Sequence, residues 1–475
     1  MPVLPMSLEA GLAANYDFIV LGSGPSGKRA AIQAAKLGKS VLVVEGRKRV
    51  GGVSVHTGTI PSKTLRETAL NLSGWRERGF YGRSYRVKKE IGSADLGMRL
   101  AKTLEHEVDV LEHQFLRNGV HTMAGFGRFL DPHKLAVTSP DGSELVVEGD
   151  RILIAVGTVP FHPDNVDFTQ VEIMDSDEVV DIPRLPRSLT VVGAGVIGIE
   201  YATIFSALDV AVTIIEPRAT FLDFIDREII EEFIQQLRDR GVTFRLGSPV
   251  VSVTREGEGR VLTVMEGGRQ VRTEMLLYCA GRMGATQALG LENCGLATDA
   301  RGRIAINAET FQTQVPHIYA AGDVIGFPSL ASTSMEQGRI AACHAFDLTP
   351  PPAPQYFPYG VYAVPEISTV GMSEQEVRDR GINYECGIAR MRETSRGHIM
   401  GIEQGMLKMI FSHKTRRLLG VHIIGEGATE LIHIGQAVLN LKGTIDYFIE
   451  NTFNYPTLAE AYKIAALDAW NRMQH

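Results

Sequence analysis

Cysteine is scarce. Four occur in 475 residues, at positions 279, 294, 343 and 386, and none lies within four residues of another. That spacing argues against a local zinc clip or a CxxC redox motif. It reads as reduced, mostly buried thiols in a cytoplasmic protein, and no metal-ligand set is assigned. There is no long basic tract and the net charge is −7, so nucleic acid is not expected as a partner. No apolar run is long enough to span a bilayer, so no membrane partner is expected either. The opening MPVLPMSLEAGLAANYDF has no basic start and is interrupted by Glu9, which argues against a cleaved signal. One further absence is local. Residues 51–63 read GGVSVHTGTIPSK, a loop led in by Gly51 and Gly52 with Ser54 and Thr59 five apart. Cysteines at those two positions would make a CxxxxC pair, and neither position carries sulfur.

What is present is an ordinary globular composition, 44% hydrophobic and 22% charged, in a chain long enough for about two to four domains. A repeat organises it. YDFIVLGSGPSGKRAAIQAAKLGKSVLVVEG (16–46) and SLTVVGAGVIGIEYATIFSALDVAVTIIEPR (188–218) both run apolar strand, GxGxxG, helix, apolar strand, acid. Gly22 and Gly193 stand 171 apart, as do Glu45 and Glu216, so the copies align without a gap. Each has the form of a βαβ dinucleotide fingerprint. The first glycine (Gly22, Gly193) permits the tight turn. The second (Gly24, Gly195) lets the backbone approach a pyrophosphate at the helix N-terminus. The third (Gly27, Gly198) lets helix and strand pack closely. The acid at the end of the second strand can accept hydrogen bonds from ribose hydroxyls. A single GxGxxG is often only a turn; two, each between strand and helix with an acid at the same distance, point to two dinucleotides. A flavin and a nicotinamide, FAD with NAD(H) or NADP(H), are the pair that shares this style of binding.

The first copy runs directly into Gly51, Gly52 and the sulfur-free loop, so it is assigned to FAD. Further on, HIYAAGD predicts a strand ending at Gly322 and Asp323, with a helix from about Leu330. Asp323 at a strand end can accept from a polyol hydroxyl, and the helix beyond it can aim its positive end at a flavin edge. The alternative for Asp323 is a plain turn or cap residue. RILIAVGTVP (151–160), with Gly157, and LLYCAGRMG (276–284), with Gly281, read as strands closed by glycine, where the chain crosses between two domains. The expected class is α/β. Two Rossmann-like domains, FAD-binding (1–155 and 281–348) and NAD(P)-binding (156–280), are followed by an α+β C-terminal domain (349–475). LTPPPAP (348–354) is the linker by its prolines.

Taken in order, VLGSGPSG with Glu45, GTIPSK, GAGVIGIE, YAAGD, PEISTVGMSE and FNYPTLAEAYKIAAL resemble the pyridine nucleotide-disulfide oxidoreductase family over nearly the whole chain. The resemblance implies a homodimer whose C-terminal domain forms the interface. It also marks departures. The disulfide reductases of the family carry cysteines at the positions of Ser54 and Thr59. Near the C-terminus they carry a His–Pro followed by a Glu, where this chain has Tyr455-Pro456 and Glu460. The thiols and their base are absent together, and a hydroxyl can form neither a disulfide nor a charge-transfer thiolate. Within the family, GTIPSK with FNYPTLAEAY is similar to the soluble pyridine nucleotide transhydrogenases, which keep threonine at the position of Thr59 and commonly cysteine at that of Ser54.

The same resemblance implies that Lys63 approaches the flavin and pairs with Glu200, the acid of GAGVIGIE, to favour an anionic reduced flavin. Read without it, Lys63 is an exposed lysine and Glu200 an ordinary helix acid. Glu216 suits the 2′- and 3′-hydroxyls of NAD and should repel the 2′-phosphate of NADP; Arg218 either counters that repulsion or is a solvated loop arginine. His56 is read as a packing or hydrogen-bonding residue and Glu460 as structural. Three functions remain open: hydride exchange between NADPH and NAD⁺ through FAD, an FAD-dependent NAD(P)H:acceptor reductase of quinone or diaphorase type, and a non-catalytic flavin-binding sensor.

Overall fold

The structure is a computed structural model, and it describes residues 15–82, 84–257, 259–349 and 355–474. The opening segment read above as unlike a signal, and most of the proline run 348–354, lie outside the described residues. The chain divides into two compact units. The first takes its described residues from 1–61, 100–161 and 282–353, the second from 62–99, 162–281 and 354–475.

The first unit is built on a seven-stranded sheet. The fingerprint strand Asn15–Leu21 lies between Val41–Glu45 and the long strand Glu144–Ile154, parallel to both, and Ile318–Ala320 runs parallel along Glu144–Ile154. His121–Ala124 extends the parallel part beyond Val41–Glu45. The first half of Glu144–Ile154 pairs antiparallel with Lys134–Thr138, so one strand serves both halves of the sheet. Alternation decides which side chains face which way. Phe18 and Val20 join one buried cluster with Ala30, Ala34 and Ile340 from two helices; Ile19 and Leu21 join a second with Leu135, Ile152 and Leu289. The helices Pro25–Lys36 and Ala331–Ala345 cross on the first of these faces so closely that a methyl on Gly338 would lie 2.0 Å from the Ser26 carbonyl oxygen. A short antiparallel ribbon, Thr158–Pro160 with Arg282–Gly284, completes the unit.

The second unit contains the second fingerprint on a five-stranded parallel sheet, ordered Thr243–Leu246, Ala211–Glu216, Ser188–Val192, Met275–Tyr278, Ile173–Asp175. A three-stranded antiparallel sheet, Val250–Glu256, Arg260–Met265 and Gln270–Thr273, is inserted before Met275–Tyr278. The C-terminal part is a five-stranded antiparallel sheet, from Tyr359–Val361 through Ile367–Gly371, Leu418–Ile424 and Met406–Ser412 to Tyr384–Arg390. The helices Ala428–Asn440 and Glu460–Met473 pack on it around Val421, Ile423, Phe448 and Tyr462. Among the described residues no helix is long and apolar enough to cross a membrane. The four cysteines are free thiols.

Candidate functional site

The two fingerprints fold alike, atom for atom in places. Gly22 has φ +98° and Gly193 +99°. A methyl on Gly27 would lie 1.9 Å from the Gly22 carbonyl oxygen, and one on Gly198 would lie 2.1 Å from that of Gly193, so the third glycine is fixed by contact between helix and turn. Methyls on Gly24 or Gly195 would meet nothing within 4 Å. The helix N-termini of Pro25–Lys36 and Val196–Ala207 therefore have room beside their second glycines, and a helix N-terminus with such room suits a pyrophosphate.

Each acid is held by the same two amides. Ser23 N donates to Glu45 Oε2 at 3.0 Å and Ala194 N to Glu216 Oε2 at 2.8 Å. Arg47 N and Arg218 N, each two residues past its acid, donate to Oε1 at 3.0 and 3.2 Å. The copies then diverge by one side chain. The Ser23 hydroxyl donates to Glu45 and accepts from Gly51 N at 2.7 Å, tying the acid to the glycine loop. Ala194 has no hydroxyl, and Glu216 instead takes Arg218 Nε at 2.8 Å. Burial alone would raise the Glu216 carboxyl, but the Arg218 side chain and the two amides outweigh it and hold it below the usual carboxylate range.

The first unit also holds Gly52, Gly157, Gly322 and Asp323. Gly52 lies against Gly24, where a methyl would come within 3.0 Å of the Gly24 Cα. Gly157 has φ +68° with open space at its Cβ position. Asp323 follows Gly322, whose amide donates to Gln337 Oε1 at 2.9 Å. Burial pushes the Asp323 carboxyl up, and the Arg282 guanidinium opposes the shift. A desolvated carboxyl gains from hydroxyl donors, so Asp323 fits a ribityl chain, as the open helix end and the Glu45 acid fit the rest of an FAD. Arg282 is itself anchored, Nε to the Thr158 hydroxyl and Nη2 to the Thr158 carbonyl, both at 2.8 Å.

The loop between these glycines and the next helix keeps its shape without sulfur. Gly52–His56 is one helical turn and Thr59 opens the helix Thr59–Leu72. The Ser54 hydroxyl donates to the Gly51 carbonyl at 3.1 Å. His56 Nε2 lies 3.0 Å from the Val50 carbonyl, a backbone-bonding role.

In the second unit, Lys63 Nζ meets Glu200 Oε2 at 2.7 Å, with Glu200 4% exposed and Lys63 also bonded to Ser62 Oγ at 3.1 Å. Glu200 Oε1 accepts the backbone N–H of Tyr362 at 2.9 Å. Gly281, φ +128°, follows Cys279 as Gly157 follows Ala155, and a methyl on Gly22 or Gly193 would strike the Ala155 or Cys279 carbonyl oxygen respectively. The repeat therefore extends to a third strand. Sequence reasoning left out Ser23, Arg282, Gln337 and Tyr362. Ser23 could have been found from its place beside the first glycine. Tyr362 has no local signal, since its partners are 162 and 299 residues away.

A family model for pyridine nucleotide-disulphide oxidoreductases matches residues 16–338, and the model for the dimerisation domain of those enzymes matches 357–466. The chain belongs to the pyridine nucleotide-disulphide oxidoreductase family. It is thus a flavoprotein oxidoreductase that uses FAD and NAD(P), with a C-terminal dimerisation domain. It is 50% identical over 461 residues to a soluble pyridine nucleotide transhydrogenase of Mycobacterium bovis strain BCG, covering 97% of this chain and 98% of that one. A soluble pyridine nucleotide transhydrogenase of Escherichia coli is 40% identical over 471 residues, with 97% and 99% covered. Among solved structures, the HOCl-induced flavoprotein disulfide reductase RclA of Escherichia coli superposes with a TM-score of 0.86 at 26% identity, over 95% of this chain and 99% of RclA. LpdA of Mycobacterium tuberculosis has the same TM-score and identity, over 96% of this chain and 99% of LpdA.

Proposed function

We propose that this family member is a soluble pyridine nucleotide transhydrogenase. It moves a hydride reversibly, NADPH + NAD⁺ giving NADP⁺ + NADH, by a ping-pong mechanism without a redox disulfide. FAD, when bound, supplies a carrier for the two electrons and proton between the two nucleotides. Residues 1–155 and 281–348 hold it: Gly22, Gly24 and Gly27 with the N-terminus of Pro25–Lys36 at the pyrophosphate, Glu45 at the ribose, Gly51, Gly52, Thr59 and Gly157 along the loops, and Gly322 and Asp323 at the ribityl chain. Residues 156–280 with Gly281 hold the nicotinamide nucleotide through Gly193, Gly195, Gly198 and Glu216, with Arg218 available to a 2′-phosphate. Lys63, ion-paired with Glu200, presents an ammonium and aligns each nucleotide in turn. Residues 349–475 form the homodimer.

The observation that carries the reading is the combination of two intact fingerprints with a loop that has Ser54 and Thr59 where a dithiol would be. With no sulfur to pass electrons onward, the acceptor must reach the same place as the donor. One nucleotide fingerprint beyond that for FAD gives one nicotinamide site, so NADP⁺ leaves before NAD⁺ enters. The similarity to proteins named transhydrogenases supports the same conclusion. Anaerobic rapid mixing tests it. NADPH alone is expected to bleach the bound flavin, and NAD⁺ added afterwards to restore its colour at a rate matching turnover. Reoxidation by NAD⁺ far slower than by a quinone would replace this reading with an acceptor reductase. Lipoamide and glutathione disulfide are expected to be negligible oxidants.

A further inference from the structure

The Lys63–Glu200 pair has a third member, supplied by the C-terminal part of the chain. We propose that Tyr362 is a positioning residue that aims the Lys63 ammonium, an inference that rests on the hydride-exchange reading above. One residue touches both halves of the pair with different groups. The Tyr362 ring centroid lies 4.9 Å from Lys63 Nζ, within range of a cation–π contact. The Tyr362 backbone N–H donates to Glu200 Oε1 at 2.9 Å, while Lys63 takes Oε2 at 2.7 Å. The acid is thereby gripped at both oxygens and cannot swing, and the amine lies between a carboxylate and the face of an aromatic ring.

The ring is the fixed element and the lysine the movable one. Lys63 sits on a flexible stem and its side chain keeps 26% exposure, so water competes for the ammonium. The backbone around Tyr362 is held by its own neighbours and by the network at its phenol end. Arg66, one turn after Lys63 on the same helix, donates from Nε to the Ala363 carbonyl at 2.9 Å. Val364 N donates to the Thr203 hydroxyl at 3.0 Å, on the helix that carries Glu200. The phenol end meets Thr429, whose hydroxyl donates to Glu366 Oε2 at 2.8 Å, and Glu366 Oε1 is ion-paired with Arg66 Nη2 at 3.1 Å. The segment 362–364 is thus threaded between the two helices that present Lys63 and Glu200, and it offers the ammonium a rigid apolar face. A cation that wanders into solvent is screened; one held on a ring beside a buried carboxylate keeps its field directed.

The experiment uses the FAD-loaded protein and three replacements at 362: Tyr362→Phe, Tyr362→Leu, and a trifluorinated phenylalanine introduced by suppression, which keeps the ring's shape and removes its negative face. Two quantities are read, the midpoint potential of the bound flavin and the rate at which NADPH bleaches it. Tyr362→Phe is expected to match the parent in both. Tyr362→Leu and the fluorinated ring are expected to lower the potential and to slow bleaching roughly three- to thirtyfold, the range that a cation–π contact spans. Parent-like values for the fluorinated ring would overturn the inference, as would an equal loss in Tyr362→Phe, which would assign the effect to the phenol and Thr429. If Tyr362→Leu loses flavin or unfolds, the fluorinated variant decides alone. Failure of the underlying reading looks different: NADPH then fails to bleach the flavin of the parent protein.

Discussion

Glu216 and Arg218 set up a conflict within three residues. On the proposed assignment the Glu216 carboxylate accepts from the ribose hydroxyls of NAD and repels the 2′-phosphate of NADP; the guanidinium proposed for that phosphate is paired with the carboxylate at 2.8 Å, with Asp223 3.5 Å away. Arg218 keeps 56% side-chain exposure, so it can turn from one partner to another at modest cost. Replacing it with alanine is expected to weaken NADP⁺ twice over, by losing a charged hydrogen bond and by leaving Glu216 unneutralised. The loss should be about 1.5–3 kcal/mol, about tenfold or more in Kd. NAD⁺ should change little, because the two amides still hold Glu216 in place. Titration calorimetry with the two nucleotides reads this directly, and equal losses would remove Arg218 from the selectivity argument. At this scale the sequence was legible wherever spacing along the chain does the work: Glu45 and Glu216 lie where a fixed count from the first glycine puts them. It was silent where a residue's partners are far away in the chain. Lys63 and Glu200 were paired through a family resemblance, since nothing local brings residues 137 apart to 2.7 Å. Tyr362 had neither signal.

The two fingerprint elements are close copies, which makes them mutual controls. A methyl on Gly27 or Gly198 would have to enter the turn oxygen's own volume, at 1.9 or 2.1 Å, so helix and strand must separate. Overpacking of this kind costs about 1–3 kcal/mol where the structure can yield, and it moves the helix N-terminus off the pyrophosphate. Gly27→Ala is expected to give protein with a low flavin-to-protein absorbance ratio. Gly198→Ala should remain yellow but need far more NADPH to bleach. A variant pair with the reverse pattern would exchange the assignments of the two copies. The strands and helices of both copies were readable because a short continuous apolar run, as a strand buried on both faces requires, leads into each GxGxxG, and a second one ending in an acid follows the helix. The third strand of each copy was read only as a crossing. Its equivalence, Ala155 to Cys279 and Gly157 to Gly281, is invisible in the chain because insertions of different length precede it.

At the scale of the molecule, the second fingerprint domain and the C-terminal sheet share one buried polar node. Lys408, on Met406–Ser412 and 1% exposed, meets Asp226 and Glu228 at 3.0 Å and Glu374 at 2.5 Å. Asp226 caps the helix Arg227–Asp239 and also accepts from Glu374 N at 3.0 Å. Lys408→Met would leave the Asp226 carboxylate buried without its cation, and is expected to cost about 3–5 kcal/mol in urea unfolding. Behind the node stands His422, also 1% exposed, with Nε2 3.0 Å from the Met372 carbonyl and Nδ1 on the Thr369 hydroxyl. Both ring nitrogens are therefore used by a neutral imidazole, and burial holds its pKa below the ordinary value of 6.5 despite the attraction of Asp226. Above that value neither the folded nor the unfolded chain binds the proton, and stability is unaffected. As pH falls through it, the unfolded chain takes the proton and the folded one does not, so stability declines, by up to about 1.4 kcal/mol per pH unit for this single group. The urea midpoint is expected to fall between about pH 7 and about pH 5.5, before the carboxylates titrate appreciably. The His422→Gln protein should lose that part of the slope while remaining folded at neutral pH. An unchanged slope would mean that His422 binds its proton equally in the folded and unfolded chains, so that burial does not hold it neutral.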